Sequence, residues 1–220
     1  MNPSNPHERF RRSMVIGMDE WRDGIGYDLD AFAAMTPTEK DAVAAELRSK
    51  PSLDWRDMEV LKLHGGSESF DRLRDVLAGG TPDQRAHALR ELIEMGKMSG
   101  SVPDVQLSHV LDVVTIGDGM TTALLLAEAH AGPRSRAALL RGVRDRPEVA
   151  VHFAAMLYHL AGLSDDPFDW NMRPLFLRFR GDNDPADRAR ALAELCALLK
   201  VDPADIPDAS SGRGVDFPAA

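Results

Sequence analysis

Cysteine is almost missing. Cys196 is the single one in 220 residues, so neither a disulfide framework nor a multi-cysteine zinc module can be built. Long apolar runs are missing too, none reaching the roughly 18 residues needed to cross a bilayer. The start of the chain, MNPSNPHERFRRSMVIGMDEW, has only a broken apolar stretch with no small-residue cleavage site after it, which does not read as a secretory signal. Aromatic residues are scarce at 6%, and the period-two alternation of half-buried strands is lacking. Positive charge is in deficit, 26 Lys and Arg against 35 Asp and Glu for a net −9. That balance suits nucleic-acid phosphates poorly. The expectation is a cytoplasmic protein that binds neither membrane nor nucleic acid.

Catalytic signatures are lacking as well. No strand–glycine-rich turn–helix unit is present, nor His-Glu-x-x-His, nor Gly-x-Ser-x-Gly, so no catalytic residue, cofactor or metal ligand is assigned. His152 and His159 are seven apart on one helix, about 10.5 Å along its axis, too far to share a metal unaided. They read as core-lining histidines bonded to neighbours. Cys196, in ALAELCALLK, reads as a small buried apolar side chain.

What the chain does have is helix punctuation. Thr36-Pro37-Thr38-Glu39 is a capping box with proline at the first helical position, and Thr81-Pro82-Asp83-Gln84 and Asp184-Pro185-Ala186-Asp187 repeat the start. Gly132-Pro133 and Pro147 open two more helices, and Trp55–Leu63, Ser67–Leu77, Val105–Thr115 and Met120–His130 fill the spaces between them. This predicts an all-α protein of about ten short antiparallel helices.

One helix pair takes about 30–40 residues, a solenoid period, and GTPDQRAHALRELIEMG from Gly80 to Gly96 resembles the second helix of a HEAT-type repeat. RPEVAVHFAAMLYHLAG and DPADRARALAELCALL are looser versions. The resemblance implies a HEAT-like α-solenoid, or a right-handed helical array, with a non-repeating bundle as the alternative. The organisation expected is one helical domain over 1–203, made of divergent helices over 1–66 and HEAT-like pairs over 67–203, followed by a flexible or surface-wrapping tail over 204–220.

The three tryptophans all fall in turns where aromatic and charged residues mix. Trp21 precedes Tyr27 and Asp28, Trp55 stands beside Arg56 and Asp57, and Phe168, Asp169 and Trp170 are followed by Arg173. These ten residues are the candidate binding set. A tryptophan near a helix end either packs a seam or anchors a partner. On the structural alternative, the aromatics close the ends of the helical core, and Asp54 and Asp169 cap helices. Between Gly17 and Glu59 there are eleven acids against five bases, an acidic surface that either simply solvates the chain or draws a basic partner.

Small, acidic, helical chains of this kind are similar, as a class, to the immunity proteins of bacterial toxin systems, some of which are HEAT-like. That resemblance implies a protein-binding inhibitor that occludes a basic toxin or effector with an acidic, aromatic-studded surface. The alternatives are a general adaptor or scaffold, or an enzyme whose aspartates (Asp23, Asp28, Asp54, Asp57, Asp165, Asp166, Asp169) line a pocket.

Overall fold

The computed structural model describes residues 5–15, 17–19, 23–167 and 169–217. It divides into two compact units, Met1–Gly80 and Thr81–Ala220. The regular structure among the described residues is twelve α-helices and two short 3-10 turns, with no strand, so the protein is all-α. The boundary expected at residue 66 falls inside the first unit, at the first residue of one of its helices.

That unit holds α1 (Pro6–Ser13), α2 (Leu29–Ala33), α3 (Pro37–Ser49), α4 (Trp55–His64) and α5 (Gly66–Gly79). The capping box of α3 forms as expected: the Glu39 N–H donates to Thr36 Oγ1 at 3.4 Å and the Thr36 N–H to Glu39 Oε2 at 2.9 Å. α1 and α2 escape the sequence reading because they are too short for an apolar stripe. Asn5 and Asp28 cap them locally, and tertiary packing holds them. Phe10 of α1 is fully buried, its ring 5.4 Å from Phe32 of α2 and edge-on to Tyr27 at 5.8 Å, geometry that aromatic quadrupoles favour. α3 packs on α4 and α4 on α5, burying Val43, Leu47, Met58, Leu61 and Leu73.

The second unit holds α6 (Pro82–Glu94), α7 (Val102–Leu111), α8 (Met120–His130), α9 (Pro133–Asp145), α10 (Pro147–Leu160), α11 (Arg173–Leu177) and α12 (Pro185–Leu199). α7 begins and ends earlier than the Val105–Thr115 expected. Its first turn takes Pro103, and beyond it the chain turns through Gly117 and Gly119 at φ 91° and 81°. A Cβ on Gly119 would stand 2.8 Å from the Pro82 carbonyl oxygen, so this turn needs glycine. α6 packs on α8, α8 on α10 and α10 on α12, while α7 packs on α9. This every-second-helix contact is compatible with a helical repeat.

α9 is the centre of that packing. Gly132, its N-cap, has no side chain, and Asp104 of α7 supplies one from outside. The carboxylate accepts from the backbone N–H groups of Gly132 (3.0 Å), Arg134 (3.0 Å) and Ser135 (2.9 Å) and from the Ser135 hydroxyl (2.5 Å). Burial raises the pKa of Asp104, but the bonds from Ser135 and the backbone outweigh it and hold the carboxyl below its usual range, as donors at a helix N-terminus do. At the other end, the Arg146 guanidinium donates to the carbonyls of Leu111 (3.0 Å), the last residue of α7, of its C-cap Asp112 (2.9 Å) and of Val114 just beyond. α7 and α9 therefore run in the same sense, clamped at both ends. Across α9, a Cβ on Gly142 would overlap the Phe153 ring of α10, so this glycine sets the close approach of those helices.

The C-terminal segment, expected as a tail, packs along α9 as far as residue 217. Arg144 pairs with Asp208 at 3.1 Å, the Val215 N–H donates to the Pro133 carbonyl at 2.8 Å, and Arg136 lies over the Phe217 ring at 5.0 Å. Ile206 and Val215 are buried.

Two outcomes follow from this packing. Asp104→Ala lowers folding stability by about 2 kcal/mol near neutral pH, because the Arg134 and Ser135 N–H groups lose their acceptor and α9 loses its cap. The native pKa is depressed, so the carboxylate stabilises above its unfolded pKa of about 3.9 and that contribution is lost as pH falls through the native value. The gap between variant and wild type in denaturant melts therefore closes in acid; a gap constant with pH contradicts this account. Gly142→Ala costs about 1–3 kcal/mol despite the better helix propensity of alanine, and adding Phe153→Leu recovers part of it.

Candidate functional site

Eight of the ten candidate residues are among those described, and they separate into two groups. In the first unit, Tyr27, Trp55, Arg56 and Asp57 come together at the start of α4. Asp54 and Asp57 form a capping box, Asp54 Oδ1 accepting from the N–H of Arg56 (2.9 Å) and Asp57 (3.1 Å) while Asp57 Oδ2 accepts from the Asp54 N–H at 3.2 Å. The other Asp57 oxygen accepts from the Tyr27 hydroxyl at 3.1 Å and Lys50 Nζ at 2.8 Å. Arg56 pairs with Asp54 at 2.6 Å, and its guanidinium lies 5.6 Å from the ring centres of both Tyr27 and Trp55. Trp55 in turn lies against Gly26, 3.4 Å from where a Cβ would be.

Three members of this cluster are buried, Asp57 at 2% exposed, Arg56 at 7% and Tyr27 at 9%, while Asp54 and Trp55 are half-buried at its edge. Burial, then the charges of Asp57 and Asp54, push the Tyr27 phenol well above its usual pKa, so it remains a donor. Asp28 lies beside it as the N-cap of α2, its carboxylate accepting from the Ala31 N–H at 2.8 Å and pairing with Arg9 at 2.6 Å. Those two partners, the backbone N–H first, lower its pKa. The group binds the loop before α2 to the head of α4. Trp21 lies outside the described residues.

The second group opens outward. Asp169, Trp170 and Arg173 line a cleft of about 430 Å³ with Val151, His152 and Ala155 of α10 and Phe176 and Leu177 of α11. Trp170 is 73% exposed at its mouth, and the Arg173 guanidinium lies 4.5 Å from its ring centre, a cation–π contact that pre-orients the indole. Tyr158 meets Phe176 edge-on at 5.9 Å and seats α11 on α10. A second cleft of about 380 Å³ lies between α8 and α10, lined by Ile116, Met120, Leu124, Leu125, Glu128, Met156 and Pro167 among others.

His152 lines both clefts, and burial lowers the pKa of its imidazole, which favours the neutral ring. His159 Nδ1 donates to the Ser164 carbonyl at 2.9 Å and fixes the start of the loop that carries Pro167 and Trp170. Asp169 differs from expectation in one respect. Rather than capping a helix, it accepts from the Asn171 N–H at 2.8 Å in a turn before α11, whose N-cap is Met172. Phe168 lies outside the described residues.

The α8 side of this face lies outside the candidate set, although the sequence carries a signal for it. Leu124, Leu125 and Leu126 are consecutive, and no helix with one buried face hides three leucines in a row. Leu125 is 62% exposed and Ile116 likewise 62%. Cys196 is fully buried as expected, and burial followed by the charge of Asp202 pushes its thiol up to about 11. Among the described residues no group of three or more His, Cys, Asp or Glu is placed to hold a metal ion, and no helix is long and apolar enough to cross a membrane.

Asp57→Ala should destabilise the fold by about 3 kcal/mol, since it strands Lys50 and the Tyr27 hydroxyl, whereas Tyr27→Phe should cost about 1 kcal/mol. Urea melts of the two variants measure both values, and a neutral Asp57→Ala would contradict the buried network. In comparisons with known proteins, no family model, no curated protein and no solved structure matches this chain.

Proposed function

We propose that this chain is a protein-binding module that takes its partner on the face formed by α8, α10 and α11. The observation that carries the reading is Trp170, 73% exposed beside an apolar cleft of about 430 Å³. An indole left in water next to unfilled apolar volume is a ready anchor point, because tryptophan and arginine concentrate binding energy at interfaces. Ile116, Leu125 and Leu177 extend the apolar area across both clefts, beyond the scattered single side chains that need no explanation.

The finer reading is an inhibitor of the immunity type that covers the working surface of a basic toxin or effector. Its anchors are Trp170 and Arg173, with Asp169 at the rim. Tyr27, Arg56 and Asp57, buried in their own network, would act only through the stability of the first unit. Several of the aspartates that an enzymatic pocket would require are engaged elsewhere. Asp28 and Asp54 cap helices, Asp57 closes a capping box and Asp169 closes a turn.

Capture of the tagged full chain from its native host at about 50 and about 200 mM salt tests the reading, with Trp170→Ala in parallel. One stoichiometric partner is expected with wild type and none with the variant, and addition of wild type should block that partner's activity. A clean capture, or the same partners with both forms, overturns it.

A further inference from the structure

Charge is unevenly distributed around the two clefts. Glu128 lines one and Asp169 the other. Asp165 and Asp166 stand exposed in the loop that delivers Pro167 to one cleft and Trp170 to the other. The linings themselves hold two acids, Glu128, 3.8 Å from the His159 ring, and Asp169, against one arginine, Arg173, which is stacked on Trp170; Asp165 and Asp166 add two exposed acids from the adjoining loop. The floor is apolar, the rim is anionic, and the dividing wall is an imidazole.

Resting on the protein-binding reading above, we infer that the occupant of this face is a segment of another protein with two apolar anchors, one for each cleft, flanked by lysine or arginine. The apolar anchors replace water over the exposed Ile116, Leu125, Trp170 and Leu177, and the flanking cations offset the cost of drying the rim carboxylates. An acidic or neutral segment would bury the same rim at a loss. A second copy of this chain fits badly, since a two-fold contact places each patch on itself and would set acidic rim against acidic rim in a protein of net charge −9. The chain's own C-terminal segment is engaged along α9 through residue 217.

Panning a phage-displayed random peptide library on the full chain at low salt tests this, with enriched sequences then titrated as synthetic peptides. The sequences should pair large apolar residues with an excess of Lys and Arg, and should lose at least about tenfold in affinity on Trp170→Ala. Glu128→Gln with Asp165→Asn and Asp166→Asn should weaken the same peptides on the order of tenfold and flatten their salt dependence. Leu125→Ser serves as a second probe of the apolar face should Trp170→Ala misfold. Peptides that need Trp170 or Leu125 but carry no basic excess overturn the charge inference and leave the protein-binding reading standing. Peptides indifferent to both substitutions, or no enrichment at all, overturn both.

Discussion

The backbone N–H groups that open α9 need an acceptor, and the residue at the capping position, Gly132, has none to offer. A carboxylate from another helix, Asp104, fills the gap, and the second unit follows from that substitution. A cap supplied from within would satisfy α9 alone. A cap supplied by α7 also fixes the register of one helix on the other, because four hydrogen bonds must form together. Arg146 repeats the device at the far end by satisfying the last carbonyls of α7. With the pair clamped, Gly142 lets the Phe153 ring of α10 come close, and the outer face of α10 becomes the floor of both clefts.

Two turns of similar composition meet opposite fates. Asp54-Trp55-Arg56-Asp57 and the stretch from Asp169 to Arg173 each combine tryptophan, aspartate and arginine. In the first, tyrosine, lysine and a capping box consume every charged group, and the arginine lies over aromatic rings in the interior. In the second, the arginine also stacks on the tryptophan, but outside, so the same cation–π contact holds an indole toward water. What separates them is the number of hydrogen-bonding partners brought in by distant segments, and not the residues of the turns themselves.

Helix identity was legible because it is written locally. The Thr36 and Thr81 boxes, Pro133, Pro147 and the Asp184 start each act within four residues, so they survive any tertiary arrangement. Local signals failed where the stabilising groups lay far away. α1 and α2 carry local caps at Asn5 and Asp28, but it is the Phe10–Phe32–Tyr27 contact that packs these short helices, and the C-terminal segment is held by arginines of α9 rather than by a pattern of its own. Half of the candidate face was visible in Asp169, Trp170 and Arg173. The other half, on α8, was present only as a surplus of leucine.

The sequence by itself determined an all-helical chain, acidic, with a buried thiol and aromatic turns able to anchor something, since composition, caps and periodicity act over one or two helical turns. Only the tertiary structure decided which of those turns faces outward, because exposure depends on which distant helix covers a residue. Asp57 and Trp170 sit in similar local sequences, and α3 and the loop before α2 cover one while nothing among the described residues covers the other.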